Sequence, residues 1–204
     1  MSDRMKRIEL VWVAAVAVSA IFLVCGGFGF YRSVATRPEN MNTDPIWIVR
    51  RARAVAVLDA PSNFVPAYSI NIIGGLVRLP VEFWALFRDR NDQNSVLVLA
   101  YEPNVGPDLG AKLSELRKSI VNSRQHYPRF ANLTFLNSES LVLSEGRTGT
   151  FQFQRGKVES SEVEYWEVAG LFPGRGGPAM LVLTVPVSDF DEDRLRAIIR
   201  SINQ

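Results

Sequence analysis

His126 is the only histidine in the chain, so any Ser-His-Asp triad or imidazole-based metal site would have to be built around it. It stands just before Tyr127-Pro128, at the expected end of a helix, with no nucleophile motif nearby, and reads equally as a surface side chain or a helix-dipole partner. Glu159, Glu162, Glu164 and Glu167 crowd one stretch, and paired carboxylates can serve as acid and base. In a strand Glu162 and Glu164 share a face, which could make them a hydrolase pair or the solvated rim of an interface. Tyr165, Trp166, Leu171 and Phe172 supply the apolar and aromatic material of a binding patch, against the alternative that the two strand residues are core. Arg175 joins them from Gly174-Arg175-Gly176-Gly177. That run lacks the Lys-Ser/Thr ending of a phosphate loop and precedes no helix, so it is expected to be a contact loop. Asp189, Asp191 and Asp193 alternate as calcium ligands do, without the turn glycine or distal glutamate of such a loop. They fit the first turn of a helix better, with Glu192 and Arg196 paired one turn apart. No catalytic, metal or cofactor set emerges from these residues.

The charge balance narrows the partners. Beyond residue 37 acidic and basic residues nearly cancel, leaving a net charge of about −1. A nucleic-acid binder concentrates Lys and Arg against phosphates, so no nucleic-acid partner is expected. Cys25 is the only cysteine, which excludes a disulfide frame or a cysteine-based zinc site downstream of it.

Residues 10–31 contain no charged side chain and follow Arg4, Lys6 and Arg7. About 20 apolar residues carry a helix across roughly 30 Å of hydrocarbon, so a transmembrane helix is expected at 10–31 behind a basic flank at 1–9. Trp12 near one end and Phe28, Phe30 and Tyr31 near the other suit the headgroup level. Ser33-Val34-Ala35 offers a signal-peptidase site, but the apolar stretch exceeds the roughly 7 to 15 residues of a secretory signal. A retained signal anchor is therefore expected, with cleavage to a secreted soluble ligand-binder as the alternative. The basic residues before the span slightly outweigh Arg32 and Arg37 after it, which places the domain on the extracytoplasmic side, periplasmic or lumenal. Residues 32–43 read as a linker, and 44–204 as one domain.

Within that domain, Asp44-Pro45 predicts a helix start, and the helix is expected to run to about Val57 with Ile48, Val49, Ala52, Val55 and Ala56 on one arc. Arg50, Arg51 and Arg53 lie opposite. Together with Trp47 they could touch anionic lipid, or simply form a solvated face. Strands are expected at Ala67–Ile73, Leu76–Leu79, Phe83–Arg88 and Val96–Tyr101, the last buried on both faces. Leu109, Leu113, Leu116 and Ile120 predict a helix over about Pro107–Gln125. Further strands are expected at Ser140–Ser144, Gly149–Gln154, Ser161–Ala169 and Pro178–Val185, with a long hairpin loop from Gly170 to Pro178. A last helix over Ser188–Ile202 would bury Leu195, Ile198, Ile199 and Ile202. The class expected is α+β, with helices flanking a mainly antiparallel sheet.

The run Gly75-Leu76-Val77-Arg78-Leu79-Pro80, the Leu109–Ile120 helix, the Phe151/Phe153 strand and the ending Leu181–Pro186, Phe190-Asp191 and Ile199–Ile202 carry a family pattern over roughly Pro61–Asn203. In this the chain resembles the PsbP-like superfamily. The resemblance implies an α/β/α sandwich that serves mostly as a non-enzymatic binding or accessory module beside larger complexes. Combined with the apolar N-terminal run, it leads to the expectation of a membrane-anchored, non-enzymatic domain. Its expected partners are the lipid bilayer and another membrane protein or complex. The rival from another class is a carboxylate-dependent hydrolase using Glu162 and Glu164.

Overall fold

Eight strands and three helices make up the described part of the computed structural model, which comprises residues 41–74, 79–101, 109–122, 125–159 and 161–203. In chain order they are β1 (Met41–Asn42), α1 (Pro45–Val55), β2 (Phe64–Gly74), β3 (Leu79–Asp89), β4 (Val96–Tyr101), α2 (Leu109–Asn122), β5 (Phe130–Val142), β6 (Thr148–Val158), β7 (Glu164–Gly174), β8 (Gly177–Pro186) and α3 (Glu192–Arg200). The strands form one sheet in the order β1-β2-β3-β4-β8-β7-β6-β5, antiparallel at every neighbouring pair. Two meanders thus meet where β4 lies beside β8.

β4 shows why the sheet needs helices on both sides. Val96, Val98 and Ala100 pack with the α2 residues Leu109, Leu113, Leu116 and Ile120. Leu97 and Leu99 pack on the opposite face with Ile48 of α1 and Leu195 and Ile199 of α3. An uninterrupted apolar run therefore satisfies a strand buried on both faces, and each large aliphatic side chain removed from water contributes about 1.5–3 kcal/mol. The helix ends follow from local chemistry. Asp44 accepts a hydrogen bond from the Ile46 N–H at 3.0 Å, with Pro45 in the first turn. Asp191 does the same for Arg194 at 2.8 Å.

The expected class is corrected by this architecture. An α+β sandwich behind a transmembrane helix was anticipated; the described residues are dominated by an eight-stranded antiparallel sheet carrying three short helices. Among the described residues no helix is long and apolar enough to cross a membrane. The span expected at 10–31, with Trp12, Phe28, Phe30 and Tyr31, lies outside the described residues, as do its basic flank and the linker up to residue 40. The single-pass, signal-anchored membrane reading accordingly finds no support in the structure.

The sheet extends into segments expected to be loops. β5 begins at Phe130, ten residues before the strand predicted at Ser140, and has lengthened at the expense of the connection after α2. The long loop expected at 170–178 is instead paired strand, closed by the two residues Arg175 and Gly176 between the Gly174–Gly177 pair. Gly177 has φ +136°, which side chains rarely adopt, and this fixes the turn. Gly170 is a glycine for a different reason: a Cβ there would overlap the Phe151 ring on the neighbouring strand.

Candidate functional site

The cover provided by α2 is incomplete. Its packing partners come from β2, β3, β4, β7 and β8, and none from β5 or β6. Phe151 and Phe153 of β6 point to the other face, into the core with α1 and α3, which leaves Thr150, Gln152 and Gln154 on the α2 side. The result is a groove of about 810 Å³ beside the end of α2. Thr148, Thr150 and Gln152 supply hydroxyl and amide groups along one wall, and Leu171, Pro173 and Pro178 supply apolar surface. Arg147 and Arg175 also line it, and none of the described residues lining it is acidic. The groove can therefore offer hydrogen-bonding groups, an apolar strip and positive charge. It contains no side chain suited to act as nucleophile or general base.

The five anticipated binding residues fall on two sides of the fold. Leu171 is half-buried and lines the groove, as does Arg175, which is exposed at the β7–β8 turn. Arg175 also secures α1: its Nη1 donates to the Arg53 carbonyl at 3.0 Å and its N–H to the Val55 carbonyl at 2.9 Å. Both acceptors belong to the last turn of α1, where carbonyls lack helical partners. Phe172 touches the groove but is only 3 % exposed. Tyr165 and Trp166 are buried, and the Trp166 indole N–H donates to the Phe190 carbonyl at 2.9 Å. These three are core residues whose burial leaves no aromatic surface for a partner.

On α1, Arg50, Arg51 and Arg53 are exposed, and Arg51 lies over the Trp47 ring at 5.3 Å. Ile46, 72 % exposed, shares a shallow concavity with Val49, Arg50 and Arg53. This is the outward face of a helix whose Ile48, Ala52 and Val55 are buried.

The chemistry sought in the sequence does not assemble. His126 Nε2 stands 3.1 Å from Asn94 Oδ1, and Arg88 donates to the His126 carbonyl at 3.1 Å. Desolvation, together with the nearby Arg88 charge, lowers the imidazole pKa despite the opposing influence of Asp92. Ser95 donates to Asp92 at 2.5 Å rather than to the histidine, so serine, histidine and aspartate are neighbours without being a relay. Glu162 lies before β7 and pairs with Lys157 at 3.3 Å, whereas Glu164 begins the strand and pairs with Arg155 at 2.8 Å. The shared strand face assumed for the two carboxylates is absent, and both are taken up in surface ion pairs. Asp191 caps α3 and Asp193 pairs with Arg196, so the acidic run serves the helix terminus. Among the described residues no group of His, Cys, Asp and Glu could hold a metal ion.

One buried polar cluster escaped the sequence reading. Glu167, fully buried on β7, accepts hydrogen bonds from Arg117 of α2 and from the Tyr127 hydroxyl, the latter at 3.2 Å. Burial pushes the Glu167 pKa up, partly countered by Arg117, and burial likewise raises that of Tyr127. Thr184, opposite Glu167 on β8, is also fully buried, and its hydroxyl has no hydrogen-bond partner. The available signal was that Glu167 sits between Trp166 and Val168 inside the apolar run Tyr165–Ala169. The cluster fixes α2 to the sheet and opens onto none of the concavities described above.

No protein-family model matches this chain, and no curated protein matches it. Nothing in these comparisons identifies the PsbP-like superfamily that the sequence pattern resembles.

Proposed function

We propose that residues 41–203 form a non-enzymatic binding or accessory domain, and that it holds a protein partner in the groove beside α2. The observation that carries this reading is the groove's composition among the described residues: two arginines, three hydroxyl or amide side chains and an apolar strip, with no acidic side chain among them. Binding residues concentrate where a rigid scaffold presents them, and here they sit on paired strands and on the two tight turns that carry Arg147 and Arg175. Opposite charge steers an encounter and the apolar strip retains it, so the partner segment should carry carboxylates beside apolar side chains.

The test is affinity capture with the tagged full-length chain from its native extract, comparing wild type with Arg147→Glu/Arg175→Glu and with Arg50→Glu on α1. A protein retained stoichiometrically by wild type and by Arg50→Glu, and reduced at least tenfold by the groove pair, supports the reading. Retention that is indifferent to the groove pair, or no stoichiometric protein at all, overturns it. Loss with Arg50→Glu alone would move recognition to the outward face of α1.

A further inference from the structure

β5 ends the sheet in an unusual way. It is the longest strand among the described residues, with 13 residues, and its only strand neighbour is β6. Long exposed edges invite pairing, and proteins ordinarily blunt them with lysine, proline or brevity. β5 contains no Lys, Arg or Pro, and its single charge, Glu139, is neutralised by Arg196 at 2.8 Å. Phe135, Leu136 and Val142 are 55 %, 45 % and 60 % exposed along it.

The hydrogen-bonding directions identify what can cover this edge. The Leu143 N–H donates to the Arg147 carbonyl at 2.7 Å, and the register runs without interruption from Val142–Thr148 to Asn137–Phe153. In an antiparallel ladder alternate residues turn their backbone groups to the same neighbour, so those of Asn137, Glu139 and Leu141 face β6. The N–H and C=O groups of Ser138, Ser140 and Val142 therefore face outward. A row of alternating donors and acceptors is complementary to another extended strand.

We propose that the strand covering it is β5 of a second copy, paired antiparallel about a two-fold axis near Ser140, so that the two sheets become one continuous sheet. An identical strand turned about a two-fold presents the same donors and acceptors in reverse order, which makes the contact self-complementary. The neutral edge brings no like charges together across the axis. A two-fold contact uses the β5 edge of both copies, so the assembly closes at two. Five paired residues on each side, Ser138–Val142, bury less than the roughly 1,200 Å² of a standard interface, and the exposed Phe135, Leu136 and Val142 of the same strand add apolar area. A dissociation constant in the micromolar range is expected.

The experiment is sedimentation of the purified full-length chain over a concentration series, for wild type, Phe135→Lys/Val142→Lys and Ile46→Lys, with thermal unfolding of each. The proposal expects a monomer–dimer equilibrium that the β5 pair weakens at least tenfold, while Ile46→Lys leaves it unchanged and all three unfold alike. In a Cys25→Ser background, Ser140→Cys should form an intermolecular disulfide under mild oxidation, and Asn91→Cys, at the exposed β3–β4 turn four strands away, should not. Wild type monomeric at all concentrations overturns the proposal, as does a dimer insensitive to the β5 substitutions or a Ser140→Cys chain that does not cross-link. The groove reading is unaffected by either result.

Discussion

Arg117 and Glu167 meet between α2 and the sheet, where the carboxylate has no contact with water and the guanidinium keeps 34 % of its side-chain surface exposed. Removing charges from water costs several kcal/mol per ion, and a buried pair recovers that cost only while both partners are present. Arg117→Met alone should therefore lower unfolding stability by about 3 kcal/mol, at the low end for a buried pair because Arg117 is partly solvated. Arg117→Met/Glu167→Leu should recover part of that loss, and adding Tyr127→Phe, which removes the hydroxyl left without its acceptor, should bring stability to within about 1 kcal/mol of wild type. Chemical denaturation of wild type, both single variants, the double variant and the triple variant closes the cycle. A double variant no better than Arg117→Met would show that the charges are not coupled. At this scale the sequence was least legible: four glutamates within nine residues look alike until the strand register puts one of them inside. Tyr165, Trp166 and Phe172 show the converse, since aromatic type alone does not distinguish a binding patch from core.

Elements were readable where a single physical rule governs them. α1 begins at Pro45 behind the Asp44 cap and α2 buries the four aliphatic residues that its periodicity selects, because capping and a 3.6-residue repeat are local properties. β5 was not readable over its first half because the register shifts between Phe135 and Asn137, so Phe135 and Leu136 are exposed side by side and alternation fails. The end of β7 was hidden by Gly170, Pro173 and Gly174, which resemble turn punctuation. Gly170 instead makes room for the Phe151 ring, a long-range requirement that no local window contains. Gly170→Ala should cost about 1–3 kcal/mol by overpacking, and Phe151→Leu in the same chain should recover part of that loss. Thermal unfolding of the pair checks this, and a neutral Gly170→Ala would mean that the ring can move aside without strain.

Across the whole molecule, three titrating groups act on stability in different pH windows. Hydrogen bonds from Arg196 hold Glu139 below its usual carboxylate range, so its contribution is present above about pH 4.5 and is lost as pH falls further. His126 is also lowered, by desolvation and Arg88, so the fold favours its neutral form and loses that preference as pH falls from about 6.5 through the folded value. Glu167 has the opposite sign: burial raises it, so its contribution is complete below about pH 4.5 and is lost as pH rises through the folded value. Glu139 should therefore steepen the acid limb below about pH 4.5, and above it His126 raises stability and Glu167 lowers it as pH rises, so these two oppose each other. Denaturant midpoints measured from pH 3 to 8 can separate the three. Glu139→Gln should flatten the limb below about pH 4.5, His126→Asn the stretch just below about 6.5, and Glu167→Gln the decline above about 4.5. The Glu167 variant is the most informative, because its effect requires a carboxylate desolvated by the packing of α2 on β7. A Glu167→Gln profile parallel to wild type would mean that α2 admits water at that contact and closes the sheet less tightly than its apolar residues imply.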